Sequence, residues 1–215
     1  MNPPITQLFR VHREGQASEQ LGKVAAVTLS FWIAKAVLTT VGDISGDLLS
    51  TTLGLGYVTS LLVASAFVLA FLVAQLRAVR FYPLIYWLLI LGTSTIGTEL
   101  SDTMDRALHV GYIVGAVVLL LCLLGTLAVW HLQRGSISAY PIYDGEEQLF
   151  YWTAAIFANG LGSVLGDLIG GRFGLGIAGG ISINAGAIAV LMLLHYATRL
   201  NKTLLFWGAF VFTRA

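Results

Sequence analysis

The sequence predicts an all-α, polytopic membrane helix bundle with seven visible spans, arranged as parallel pseudo-repeats around an axis along the membrane normal. Composition is the first reason. Hydrophobic residues make up 57% of the chain and charged residues 11%, whereas soluble domains run at roughly 45–50% and ~25%. Mean hydropathy of +0.82 agrees, and too little charge remains to coat a water-facing surface. The second reason is the recurrence of apolar segments of spanning length. The third is an aromatic–Trp pair that recurs with a glycine and an aspartate at fixed distances behind it.

A hydrocarbon core of ~30 Å needs about 20 apolar residues in a helix. Residues 1–22 are polar, carry Glu14 and Glu19, and lack the apolar core of a signal peptide, so they are expected to be a cytoplasmic tail. Apolar segments follow at 24–43, 57–76, 82–101, 111–130, 149–168, 174–194 and 203–215. A first membrane half is expected over 23–132, a cytoplasmic linker over 133–147, and a second half over 148–215. Breaks between spans carry glycine or charge, such as Gly54 with Gly56 and Arg77 with Arg80. Of the 12 Lys and Arg, eight fall on the tail and alternate loops (Arg10, Arg13, Lys23, Arg77, Arg80, Arg134, Arg199, Lys202), against Arg106 and Arg172 opposite. The positive-inside rule then places the N-terminus in the cytoplasm.

Several function classes drop out here. A net charge of +1 offers no basic surface for nucleic acid. Cys122 is the one cysteine and lies in an apolar run, so neither a disulfide framework nor a zinc cluster is available. Intramembrane aspartyl proteases carry Gly-x-Gly-Asp, but the strings here are TVGD, ISGD and VLGD. With no nucleophile–base constellation, an enzyme is not expected, nor is a cofactor. His109, His131 and His195 sit singly near helix ends. Gly174, Gly176 and Gly179 match a dinucleotide-binding glycine pattern but lack its strand, and so suit helix packing.

The repeat starts from Phe31-Trp32, Tyr86-Trp87, Tyr151-Trp152 and Phe206-Trp207. In the same register behind the first three Trp residues stand Gly42, Gly97 and Gly162, then Asp47, Asp102 and Asp167, then Gly56, Gly111 and Gly176. Each unit is a helix with Trp, Gly and Asp, a glycine-bearing turn, and a plainer helix. Two spans per unit make all Trp-bearing helices parallel. The Trp residues lie too deep for an interfacial belt and are expected to pack between repeats.

The strings FWIAKAVLTTVGDISGD, YWLLILGTSTIGTELSD and YWTAAIFANGLGSVLGD resemble a bacterial inner-membrane protein family of four tandem two-span repeats of unknown function, each with a characteristic Trp. The resemblance covers about 24–215 and implies an eight-span bacterial protein. By that pattern the chain stops inside its fourth repeat, and the native protein is expected to continue into an eighth span.

Helix neighbours recur every four residues, so each Trp-bearing helix has one polar stripe. The first stripe is Lys35, Thr39, Asp43, Asp47; the second Ile90, Ser94, Thr98, Asp102; the third Ala155, Asn159, Ser163, Asp167. The fourth begins Phe210, Arg214, and Glu99 lies beside the second. A charge at mid-bilayer costs roughly 2.5–3.5 kcal/mol, so the stripes should face one another or water. Asp43, Asp47, Glu99, Asp102 and Asp167 are the candidate ion-binding or relay groups. Lys35 and Arg214 are their expected charge partners, and Thr39, Ser94, Thr98, Asn159 and Ser163 the polar lining. Two local readings stand open. The motif acids simply end their helices, or Gly42 and Gly46 break the first helix so that Asp43 or Asp47 caps a second half.

Acidic, all-oxygen surroundings suit a proton or a hard divalent ion. The expected function is therefore a transporter or channel for a small cation, with the lipid bilayer as its surroundings and room for an oligomer. The alternative is a non-transporting scaffold or accessory subunit whose stripes satisfy one another. A water-accessible path favours the first, a dry paired interior the second.

Overall fold

The structure, a computed structural model, describes residues 22–172, 176–198 and 201–215. The expected tail, apart from residue 22, lies outside the described residues, as do Gly174 and Arg199. Among the described residues there are seven α-helices and no strand: α1 Leu29–Asp47, α2 Tyr57–Arg77, α3 Pro83–Asp102, α4 Tyr112–Arg134, α5 Gly145–Asp167, α6 Gly176–Ala197 and α7 Lys202–Phe212. They match the seven expected segments one for one.

Capping chemistry sets the boundaries where they differ from hydropathy. The first helix begins at 29 rather than 24 because the Thr28 hydroxyl accepts the Phe31 N–H. The linker narrows from 133–147 to 135–144. Gly135, at φ 72°, closes α4, and the Asp144 carboxylate accepts the Glu146 N–H to open α5. Arg134 pairs with Asp144 and Glu146 across that linker.

α1 runs unbroken through Gly42 and Gly46, so the broken-helix alternative is not what forms. Each motif acid instead closes an α-helix and is followed directly by one π-helical turn: Leu48–Thr52 after Asp47, Thr103–Ala107 after Asp102, Leu168–Arg172 after Asp167. The next helix then starts at a glycine with positive φ, 73° at Gly56, 84° at Gly111 and 63° at Gly176. A side chain is disfavoured in that conformation, which explains the third recurring glycine. At Gly176 this turn role replaces the helix-packing role expected from the pattern.

The four helices that carry the repeated aromatic–Trp pair form an inner ring. α1 packs on α3, α3 on α5 and α5 on α7, while α2, α4 and α6 lie outside against α3, α5 and α7. The first recurring glycine makes the inner contacts close. A Cβ at Gly42 would meet Ser94 Cβ at 2.7 Å, one at Gly97 would meet Gly160 N at 2.7 Å, and one at Gly162 would meet Val211 O at 2.7 Å. Hydrogen alone fits there, as in small-residue helix interfaces generally. Thr95 and Ser94 add hydroxyl bonds to the Gly42 and Thr39 carbonyls, at 3.1 and 3.0 Å.

The outer surface is apolar. On α2 the buried face is Ser60, Ala64 and Val68, while Leu62 and Leu69 point outward. Four helical stretches are long and apolar enough to cross a membrane: Tyr57–Arg77, Pro83–Ala107, Tyr112–Arg134 and Gly145–Gly171. α1 is not among them because Lys35, Asp43, its threonines and its glycines dilute its hydropathy.

Candidate functional site

The repeat register stacks the inner helices into levels. At the linker end the aromatic pairs interlock in a closed ring. Phe31 meets Trp87 at 5.9 Å between ring centroids, Tyr86 meets Trp152 at 5.2 Å, Tyr151 meets Trp207 at 5.7 Å, and Phe206 meets Trp32 at 5.6 Å. Each pair reaches the Trp of the next repeat, and α7 returns the ring to α1. The Tyr86 and Tyr151 hydroxyls share a hydrogen bond of 2.7 Å. Packing between repeats is thus what the Trp residues do.

One turn further, Lys35, Ile90, Ala155 and Phe210 are each fully buried. Lys35 Nζ donates to the Phe210 carbonyl and to Thr213 Oγ1, both at 2.9 Å, and stands 4.0 Å from the Phe210 ring centroid. Among the described residues it has no carboxylate ion-pair partner. The expectation that acids neutralise Lys35 is therefore corrected. The acids begin two turns away, and a carbonyl, a hydroxyl and a ring face on α7 are nearer.

The next level is polar and still dry. Thr39 donates to Ala36 O, Ser94 to Thr39 O and Asn159 to Thr93 Oγ1, and all three are buried. None of the three lines the acidic cavity beyond them; they tie helices to one another or to themselves.

At the far end the helices part around a cavity of about 310 Å³, lined by Asp43, Asp47, Thr98, Asp102, Arg106, Ser163, Gly166, Asp167, Arg214 and Ala215. The three motif acids thus share one space. Arg214 clamps Asp43 through two bonds of 2.7 and 3.2 Å and donates to Thr98 Oγ1 at 2.6 Å. Thr98 in turn donates to Asp43 at 2.9 Å. Arg106 pairs with Asp102 at 3.2 Å, one helical turn on. Ser163 lines the cavity, is 8% exposed, and makes no hydrogen bond among the described residues.

Glu99 behaves differently from the other acids. It is fully buried and packs against the end of α1, where a Cβ on Gly46 would touch its Oε1 at 3.2 Å. It does not line the cavity. Arg106 was missed as a site residue, having counted only as a loop charge. Its signal was the four-residue spacing from Asp102, which brings the two side chains to one helix face.

A family model described as a repeat of unknown function (DUF347) matches the chain three times, at residues 30–81, 85–136 and 150–201. The chain belongs to the DUF347 repeat family. No curated protein and no solved structure matches it. Each DUF347 match covers most of one inner helix, its π-helical turn and one outer helix, and each contributes its motif acid to the cavity, the first adding Asp43 as well. α7 lies beyond the third match, yet it supplies Phe206 and Trp207 to the ring, and Arg214 just past its end reaches the cavity.

Proposed function

We propose that this DUF347 protein is an integral membrane protein of the bacterial inner membrane, with a cytoplasmic N-terminus, that carries a small cation through the acidic cavity between its inner helices. The observation that carries this reading is the convergence of Asp47, Asp102 and Asp167 on one polar cavity. Equivalent carboxylates from separate repeats raise the local cation concentration and replace part of a hydration shell with oxygen ligands. The apolar outer faces of α2 and α4 support burial in lipid. A cavity of this size has the share of about ten waters, so a proton or a partly hydrated divalent ion fits. Among the described residues no three His, Cys, Asp or Glu side chains are grouped tightly enough to chelate a metal directly, which favours the proton of the two.

In this role Arg214 and Arg106 act as resident cations paired with Asp43 and Asp102. Ser163, with a free hydroxyl, adds a neutral ligand beside Asp167. A fourth repeat, with α7 as its first helix, supplies the remaining quarter of the ring. A non-transporting scaffold is the second reading. It is favoured by the levels below the cavity, where Lys35, Ile90, Ala155 and Phe210 are fully buried. Proton and Mn²⁺ flux into liposomes carrying the full chain separates the two. Flux above that of empty liposomes, reduced at least roughly tenfold by Asp102→Asn, supports transport; flux equal to empty liposomes for both ions supports the scaffold.

A further inference from the structure

The cavity has one closed end, and the residues that close it stand in register. From Asp47, Asp102 and Asp167 toward the linker, the level of Asp43, Thr98 and Ser163 still lines the cavity. One turn further the floor begins with Thr39, Ser94 and Asn159, buried and hydrogen-bonded, and a turn beyond them Lys35, Ile90, Ala155 and Phe210 are all 0% exposed. Beyond them the aromatic ring seals the linker end. We infer that the level of Lys35, Ile90, Ala155 and Phe210 is the internal gate of the cavity, latched by the Lys35 side chain bridging α1 and α7.

Three features single out this level rather than the aromatic ring as the movable closure. The aromatic ring is continuous through four inter-repeat contacts, so opening it disrupts every inner interface at once. The level above it is uneven, with one lysine, one isoleucine, one alanine and one phenylalanine, and Lys35 reaches the Phe210 ring across it. Ala155 leaves the least bulk of the four. The α1–α7 side is also held differently from the other inner interfaces. Gly42, Gly97 and Gly162 make backbone approaches between α1 and α3, α3 and α5, and α5 and α7. Between α7 and α1 the ties are side chains instead: the aromatic contact of Phe206 with Trp32, the Arg214 clamp on Asp43, and the Lys35 bonds to Phe210 O and Thr213 Oγ1.

The lysine chemistry fits a latch. A buried amine with a carbonyl, a hydroxyl and a ring face as partners holds two helices together without a carboxylate. Two hydrogen bonds from one buried amine are enough to hold a gate shut yet stay within reach of a ligand's differential binding. A cation arriving at Asp43 competes with Arg214, which sits one residue after Thr213, so occupancy of the cavity is communicated to the same stretch of α7 that Lys35 grips. Replacing the lysine by a residue of similar volume without donors leaves the packing and removes the latch.

This inference rests on the cavity being water-filled, and the test reports that separately. The full chain is purified with Cys122→Ala and one cysteine is introduced, either Ser163→Cys in the cavity or Ala155→Cys in the gate level. Each is reacted with a charged, membrane-impermeant thiol reagent. Ser163→Cys should react readily, and Ala155→Cys at roughly 0.1–10% of that rate, the population of a minor open state. Adding Lys35→Met should raise the Ala155→Cys rate at least about tenfold while Ser163→Cys is unchanged. Phe210→Ala should do the same, and serves if Lys35→Met does not fold. An unreactive Ser163→Cys defeats the cavity itself. A reactive Ser163→Cys with Ala155→Cys equally reactive in the parent, or unmoved by both gate substitutions, overturns the gate and leaves the cavity standing.

Discussion

The two ends of the inner ring are made from the same repeated register and have opposite interiors. At the linker end, four aromatic pairs fill the axis, each ring meeting the Trp of its neighbour. At the acid end, Asp47, Asp102 and Asp167 stand around a hollow of about 310 Å³. The difference follows from what each residue type does when copied around an axis. Neutral rings gain from meeting their own copies, by burial and by edge-to-face contact. Carboxylates repel their copies and keep water or cations between them. Repetition therefore closes one end and opens the other.

The largest effects are expected where the closed end is broken. Trp152 is 1% exposed and contacts Tyr86 of the preceding repeat. Trp152→Ala should cost roughly 3–5 kcal/mol, read as loss of the folded fraction on thermal or denaturant unfolding in detergent. An unfolding midpoint equal to the parent would show that the ring is not what closes this end.

Intermediate effects test the glycine approaches that set the ring's diameter. A side chain at Gly97 would meet the Gly160 and Asn159 backbone within 2.8 Å, whereas Gly125 on α4 has open space. Gly97→Val should destabilise by about 1–3 kcal/mol. Gly125→Ala should gain up to ~1 kcal/mol of helix propensity. Equal responses in an unfolding titration would mean that the inner helices are not held at the spacing described.

Smaller effects are expected at the open end, because water shares the work there. Asp43 is 42% exposed in its side chain, although Arg214 is 5% exposed. Asp43→Asn should therefore cost only about 1 kcal/mol, after discounting for solvent. A loss as large as that of Trp152→Ala would mean that the acid end is packed rather than hollow. The smallest change is expected at the turn. His109 has φ 55°, where the first repeat places Gly54 at φ 67°. His109→Gly removes a side chain from the left-handed region and should stabilise by no more than ~1 kcal/mol, net of glycine's entropy.

Much of this architecture is legible in the residues alone, and the reason differs by level. Asp47, Asp102 and Asp167 share a distance from their Trp, and equal register on parallel helices is already equal height. The cost of charge in lipid then turns them inward. Thr39, Ser94 and Asn159 were legible as a stripe but not as dry ties, because a hydroxyl or amide serves a cavity and a carbonyl equally well. The partner of Lys35 was not legible: it is a main-chain carbonyl on α7, far along the chain, and no side-chain pattern announces a carbonyl. The π-helical turns were hidden too, since they continue each α-helix without a composition change. Glu99 was grouped with the acids by sequence proximity, yet one residue beyond Thr98 is a rotation of about 100°, enough to turn it toward α1.

The three register acids are proposed to act as one set around a cation path. Flux measured in liposomes for Asp47→Asn, Asp102→Asn and Asp167→Asn, each made singly in the full chain, tests it most directly. The parent protein should show flux, and every variant should lose at least roughly tenfold of it with folding retained. Three variants that all conduct as the parent does, or a parent that conducts no faster than empty liposomes, would contradict it.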